Sequence, residues 1–261
     1  MPIFIRSIAI IGTGNVATHL GKAFVQAGVE IAHIAGRDTE KAAALATELG
    51  VASSSSISNS LPHADLYLIA VKDDAIGMVA KEIFAPGRNL AHTAGAVISE
   101  ILRFDHNHFG VIWPMQTLTK NNAIDLSQTL MAVTGSDDKI QTALGELMRK
   151  ISSRVLEVSD EQRAVLHLSA VWINNFTNHM YDIAAQLLKD NNLPFDVFFP
   201  LIEEHISKLH SLSPDQLQTG PARRGDQSTL LKHTKMLSNY PEWQKLYDAI
   251  SNSILNKFLK Q

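Results

Sequence analysis

Gly12-Thr13-Gly14-Asn15-Val16-Ala17 follows directly on the apolar, β-branched run Ser7 to Ile11 and opens a stretch in which Val16, Leu20, Ala23 and Phe24 recur at helical spacing. Strand, glycine turn, helix: this order constrains the fold more than any other feature of the chain. Gly12 permits the tight turn, Gly14 leaves the backbone bare where a diphosphate would approach, and Ala17 lets helix and strand pack closely. The helix start then offers unpaired N–H groups and a partial positive charge to an anion. Gly28 closes the helix, Val29 to Ala35 reads as a second apolar strand, and the βαβ unit ends at Gly36-Arg37-Asp38. In this context the glycine pattern predicts a Rossmann-type dinucleotide-binding domain.

The alternation continues with helix over Thr39 to Leu49, a short strand at Val51, strand over Ala64 to Val71, helix over Ala75 to Phe84 and strand over Asn89 to Thr93. Runs this apolar are buried on both faces of a parallel sheet. Strands at His108 to Trp113, Thr129 to Val133 and Arg154 to Val158, with a helix over Asp138 to Ile151, extend it. Beyond Val158 the strand signal stops. Ser159 with Gln162 forms a capping-box pattern and opens a long helix to about Asp190. Helices follow over Asp196 to Leu212, Gln227 to Leu237 and Pro241 to Leu259, Pro200 standing either at a kink or in a first turn. The expected organisation is therefore α/β, a Rossmann domain over residues 1–158 followed by an all-helical domain over residues 159–261.

Composition removes several function classes. With no cysteine there are no disulfides, thiolate metal sites or cysteine nucleophiles, and His205 and His210, five apart, do not share a helical face, so no metal site is expected. A formal net charge of -3 and the absence of any basic cluster with interleaved aromatics argue against nucleic acid. The apolar runs, such as Leu66 to Val71, fall far short of a membrane span, and no leader pattern opens the chain. A cytoplasmic location is expected, without a membrane partner.

Cofactor choice is read at the tip of the second strand, where an acidic residue would bond a ribose hydroxyl and an arginine would meet a 2′-phosphate. Arg37 can fork onto a phosphate, with Thr39 and Lys41 beside it, which favours NADP. Asp38 either bonds the ribose or caps the next helix. Ligands of such sheets lie beyond the strand C-termini, so Val71-Lys72-Asp73-Asp74 and His92-Thr93-Ala94-Gly95 are the next candidates. Lys72 and His92 are titratable and placed to give a proton during hydride transfer; the bland alternative is a solvated lysine and a histidine that satisfies a backbone carbonyl. On the long helix His167, Val171, Asn174 and Asn178 form one stripe, while Trp172, Ile173, Phe176, Met180 and Ile183 make most of the circumference apolar. His167, Asn174 and Asn175 are then either satisfied core groups or lining of a cleft. Thr219 to Asp226 reads as a stiff turn whose Arg223 and Arg224 either hold a substrate anion or pair with nearby carboxylates.

The stretches Ile8 to Ala17, Asp65 to Asp74, His92 to Gly95, Trp113-Pro114-Met115-Gln116-Thr117, His167 to Asn178 and Thr219 to Asp226 together resemble the Rossmann-like NADP oxidoreductases that carry a C-terminal helical domain of unknown function. These sit near pyrroline-5-carboxylate reductase and the 6-phosphogluconate and 3-hydroxyisobutyrate dehydrogenases. The resemblance implies an NADP-binding domain, a helical domain over its cleft, and a homodimer formed through that second domain. The hydroxyacid dehydrogenases use a lysine followed four residues later by an asparagine; here His167 and Val171 stand in those places, which argues against hydroxyacid chemistry.

The expectation is hydride transfer between NADPH and a small carbonyl or imine substrate. Gly12, Thr13, Gly14, Asn15, Val16, Arg37, Asp38, Thr39, Val71 and Lys72 would hold the cofactor, His92, His167, Asn174 or Lys72 would act in catalysis, and Arg223 or Arg224 would bind a substrate anion. The alternatives are a non-catalytic NADP sensor or regulatory protein and a deazaflavin-dependent NADP reductase.

Overall fold

In a computed structural model that describes residues 2–51, 54–119 and 124–259, the chain divides into two compact units, Met1–Ile173 and Asn174–Gln261. The division falls beyond Val158, because the first turns of the helix that starts at Asp160 are built into the first unit by the buried side chain of Arg163.

The first unit is a doubly wound sheet. Its elements are β1 (Ser7–Ile11), α1 (Asn15–Gln26), β2 (Glu30–Ala35), α2 (Thr39–Leu49), β3 (Ser54–Ser55), β4 (Leu66–Ile69), α3 (Ile76–Ile83), β5 (Leu90–His92), β6 (Phe109–Pro114), β7 (Met131–Gly135), α4 (Asp138–Arg149), β8 (Val155–Glu157) and α5 (Asp160–Ala170). Single 3-10 turns stand at Asp73–Ala75 and Ser99–Leu102. Among the described residues the strand order is β3-β2-β1-β4-β5-β6-β7-β8, parallel throughout except for the β6–β7 pair. Strand order reverses between β1 and β4, which creates the crevice where such sheets take ligands.

Alternation within the strands assigns each side chain to a layer. Ile8 and Ile10 of β1 join Leu20 and Phe24 of α1 in one core, while Ala9 and Ile11 join Tyr67, Ile69 and Ile76 in the other. The short strand expected at Val51 stands instead at Ser54–Ser55, where it pairs with Ile34 and Ala35 of β2. Polar serines gave no apolar signal there; pairing at the sheet edge decides it. Residues 52 and 53, just before it, lie outside the described residues.

The second unit is helical: α6 (Thr177–Asp190), α7 (Phe199–Leu209), α8 (Pro214–Leu217), α9 (Pro221–Arg224), α10 (Gln227–Met236) and α11 (Pro241–Leu259). Pro200 lies in the first turn of α7, where its missing N–H costs nothing. The stiff turn expected around Arg223 is a single helical turn set between Gly220 at φ +100° and Gly225 at φ +69°. Between α5 and α6, Val171–Phe176 winds as π-helix, so the long helix carries an inserted bulge that a regular 3.6-residue reading does not foresee. None of the residues from Val171 to Asp190 is buried, and Trp172 and Ile173 are 61% and 74% exposed, so this stretch is not the core helix that its composition allowed. No helix among the described residues is long and apolar enough to cross a membrane.

Candidate functional site

Five strand ends, those of β2, β1, β4, β5 and β6, stand side by side on the C-terminal edge of the sheet. Each releases a loop, and the first of them is the glycine turn. Gly12 has φ +130° and donates its N–H to the Ala35 carbonyl at 2.8 Å; a Cβ there would sit 2.1 Å from the Ala70 carbonyl oxygen. The residue is glycine because the ends of β2 and β4 close on it. At Gly14 an added Cβ would meet none of the described residues within 4 Å, so crowding by them does not explain the missing side chain. Gly14 is the N-cap of α1 and contributes no side-chain cap, whereas Asp38, Asp137 and Ser159 cap α2, α4 and α5. Among the described residues the first N–H groups of α1 therefore lack a side-chain acceptor, at a turn whose outer face is open. Thr13 and Val16 are half-buried beside it.

Asn15 turns back toward the protein. Its amide donates to the Leu118 carbonyl at 2.8 Å, and His19 Nε2 bonds the Thr119 carbonyl at 2.9 Å. The stretch after Trp113-Pro114-Met115-Gln116-Thr117 is thus tied to the start of α1. The reading of the sequence did not single out His19; one turn after Asn15 on the same helix, its spacing was the available signal.

At the tip of β2, Asp38 is committed. Its carboxylate accepts from the Lys41 N–H at 3.1 Å and pairs with Lys41 Nζ at 2.8 Å. Those two bonds to Lys41 hold its carboxyl below the ordinary aspartate range. Asp38 is the helix cap, and Lys41 is its partner. Arg37 is exposed and makes no ion pair or hydrogen bond among the described residues, and Thr39 opens α2 beside it. At the end of β4, Val71 lies against the Gly12 turn and Lys72 is exposed with no ion pair among the described residues.

Beyond β5 the loop Thr93 to Ile98 is held from below and from the side. His92 is 0% exposed. Its Nε2 lies 3.4 Å from the Ile98 carbonyl and so carries the ring proton, leaving Nδ1 to accept from the Ala94 N–H at 3.2 Å. Burial pushes its pKa down to about 4, so the ring is neutral at pH 7 with both nitrogens engaged by backbone.

Arg163, which the sequence reading passed over, is 1% exposed. It donates to the Gly95 carbonyl at 3.2 Å, to Thr134 Oγ1 at 2.6 Å and to the Val97 carbonyl, and pairs with Asp160 at 2.7 Å. Asp160 accepts from the Ser99 N–H at 3.0 Å and the Ser99 hydroxyl at 2.9 Å. Burial pushes the Asp160 carboxyl upward, but the bonds from Ser99 and Arg163 outweigh it and hold the group ionised below its usual range. The i, i+3 spacing of Asp160 and Arg163 on a capped helix was the legible hint.

Above this loop stand two rings. His167 of α5 and Trp113 of β6 lie 5.4 Å apart, centroid to centroid. Both converge on Gly95, where a Cβ would come within 2.6 Å of Trp113 and 2.8 Å of His167. His167 is half-buried, so of the two histidines it alone combines a partly open ring with a place at the strand ends.

The remaining candidates belong to the second unit. Asn174 is in the π-helical segment at the start of the second unit and is exposed. Arg223 and Arg224 meet different surroundings: the Arg223 guanidinium stacks 3.9 Å over the Phe258 ring, while Arg224 is exposed. The two diverge because one turn of helix points successive side chains about 100° apart. Asp226 caps α10 through the Thr229 N–H and hydroxyl, and those bonds lower its pKa to about 2.

Comparison with known proteins adds family to geometry. Residues 7–99 match the family described as NADP oxidoreductase, coenzyme F420-dependent, and residues 129–254 match a domain of unknown function, DUF2520. A comparison with curated proteins gives no match. Among solved structures, a proposed NADP oxidoreductase of Bacteroides fragilis is 37% identical with a TM-score of 0.85, covering 97% of this chain and 98% of that one. A 1-pyrroline-5-carboxylate reductase of Streptococcus pyogenes is 17% identical with a TM-score of 0.64, over 96% of this chain and 98% of its own. An imine reductase of Aspergillus terreus, in complex with NADPH4 and dibenz[c,e]azepine, is 13% identical with a TM-score of 0.68, over 96% and 95%. The last two show a shared fold. By the near-complete match to the first, together with the two family matches, the chain belongs to the Rossmann-fold NADP oxidoreductases that carry a helical C-terminal domain of unknown function.

Proposed function

We propose that the protein transfers a hydride between NADPH and a small carbonyl or imine compound, with the dinucleotide laid across the crevice between β1 and β4. The observation that carries this reading is the pair of glycines: Gly12 is demanded by the fold, while Gly14 faces open space at an uncapped helix start. A diphosphate fits that space, receiving the first N–H groups of α1 from the Gly12-Thr13-Gly14-Asn15-Val16 turn. Arg37, with Thr39 beside it, reads the 2′-phosphate, since Asp38 is engaged by Lys41 as the cap of α2. Val71 and Lys72 flank the crevice on the β4 side. NADPH supplies the hydride.

His167 is the proton donor in this reading. It faces the strand ends beside Trp113, whereas His92 is buried, neutral and doubly bonded, and serves the shape of the loop. Arg224, exposed where Arg223 is stacked, is the one of the two arginines open to an anionic substrate group. The helical unit is the proposed surface for a second copy of the chain, because α6 and α7 bury none of their residues within the chain while Phe199, Leu201, Ile206 and Leu209 stand exposed.

Titration of the protein with NADPH and NADH tests the first step. Tight binding of NADPH is expected, and Arg37→Gln weakens it by about tenfold or more while leaving NADH unchanged, the value of a charge-assisted bond to phosphate. A screen of imines and carbonyl compounds against NADPH oxidation, with His167→Gln as control, tests the second. No binding of either nucleotide would end the reading. A second reading has one observation behind it, the coenzyme F420 in the description of the family matched by residues 7–99. It predicts NADPH-dependent reduction of a deazaflavin and none of the imine panel.

A further inference from the structure

The loop from Thr93 to Ile98 has no regular structure to hold it and cannot hold itself. It contains Gly95, whose bare Cα is required by Trp113 and His167 at 2.6 and 2.8 Å from any Cβ. Its outer residues Ala96 and Ile98 are exposed. What fixes it is a set of side chains that end on its backbone. His92 takes the Ala94 N–H and reaches the Ile98 carbonyl from beneath. Asp160 takes the Ser99 N–H at the far end. Among the described residues Arg163 alone grips the middle, through the carbonyls of Gly95 and Val97, while Thr134 Oγ1 and Asp160 accept its other N–H groups.

Burying a guanidinium to 1% exposure is expensive, and an apolar side chain would fill the same volume without that penalty. Among the described residues its bonds do not stitch one helix to another. They run from the first turn of α5 to β7 and to the loop that leaves β5, on the side of the crevice opposite the β2 tip and its Arg37. In a doubly wound sheet the two mononucleotide halves divide at the crevice, so the adenosine half lies toward β2 and the nicotinamide half toward β5.

We propose that Arg163 is a positioning residue: by gripping the carbonyls of Gly95 and Val97 it holds the loop after β5 in the shape that receives the nicotinamide half of the dinucleotide and sets the stance of His167 beside Gly95. This rests on the dinucleotide reading and refines it, because it assigns the effect to one half of the ligand. Arg163 touches no ligand atom in this scheme. A planar fork that reaches two carbonyls, a hydroxyl and a carboxylate is not replaced by a lysine, which offers a single ammonium point.

The experiment compares two ligands. NADP+ and 2′-phospho-ADP-ribose share the adenosine, the 2′-phosphate and the diphosphate and differ in the nicotinamide. Their affinities are measured by calorimetry for the wild-type protein, Arg163→Lys and Thr134→Val, with circular dichroism and melting to verify folding and hydrogen exchange to follow the amides of residues 94–99. The wild type binds NADP+ more tightly than the truncated ligand. Arg163→Lys loses about tenfold or more toward NADP+, the ordering cost of one or more loop residues, with less than a twofold change toward 2′-phospho-ADP-ribose, and its 94–99 amides exchange faster. Thr134→Val removes one acceptor isosterically and shifts NADP+ affinity the same way by less, so the proposal stays testable should the lysine variant fold poorly. Equal losses for both ligands, no loss in either folded variant, or a wild type that binds both ligands alike would overturn the role of Arg163 while leaving dinucleotide binding in place. A wild type that binds neither would instead remove the dinucleotide reading, and this inference with it.

Discussion

A methyl group added at Gly12 would lie 2.1 Å from the Ala70 carbonyl oxygen, whereas one added at Gly14 would meet no atom of the described residues within 4 Å. The two glycines of one motif therefore fail differently. Gly12→Ala forces both a φ near +130° on an L-residue and a clash with backbone, and is expected to cost on the order of 3 kcal/mol in denaturant unfolding. Gly14→Ala, at φ -82°, is expected to unfold within about 0.5 kcal/mol of the wild type yet lose most of its NADPH affinity, because its Cβ would take the place proposed for the diphosphate. A Gly14→Ala protein that binds NADPH normally would refute the placement of the phosphates. His92 gives a pH signature. Its pKa is about 4 folded against 6.5 for an ordinary histidine, because burial opposes charging. Between those values the unfolded chain takes up a proton that the folded one refuses, so the contribution is full above pH 6.5 and is lost as pH falls toward 4. At about 1.4 kcal/mol per unit it amounts to roughly 3 kcal/mol. His92→Asn, which keeps an acceptor for the Ala94 N–H, should flatten that part of the stability profile; parallel profiles for the two proteins would show that the ring does not titrate this way.

Among elements, α9 shows how one turn can separate two like residues. Gly220 and Gly225, both at positive φ, set Pro221–Arg224 as an isolated turn against α11, with Ala222 buried beneath it. Arg223 then falls on Phe258 and Arg224 faces solvent. Arg223→Ala is expected to lower stability by about 1 kcal/mol through the lost stacking, and Arg224→Ala by nearly nothing. Equal melting shifts would show that the stack contributes no more than an exposed charge. The long helix teaches a related lesson. Its start is fixed by the reciprocal bonds of Ser159 and Gln162, a local device that the sequence displays openly. Its π-helical insertion at Val171–Phe176 has no such mark, and it changes which side chains share a face from Asn174 onward.

For the whole molecule, the helical unit leaves Phe198, Phe199, Leu201, Ile206 and Leu209 exposed, the surface proposed above for a second copy of the chain. Light scattering is expected to give a dimer, and Ile206→Glu with Phe199→Glu to give a folded monomer; a wild-type monomer across micromolar concentrations would refute this surface. What the sequence determined alone was whatever depends on near neighbours in the chain. Periods of two and 3.6 residues separated strand from helix, and the Gly12-x-Gly14 turn, the Arg37 tip and the Ser159 cap are local patterns whose chemistry is complete within a few residues. The edge strand Ser54–Ser55 escaped because pairing with β2, and not its own residues, makes it a strand. Only the tertiary structure distinguished His92 from His167, since both are histidines at plausible places and burial, not spacing, neutralised one and left the other partly open. Arg163 was invisible for the same reason. A guanidinium is ordinarily a surface group, and the contacts that bury it run to residues 29 to 68 positions away in the chain, a distance over which sequence patterns carry no geometry.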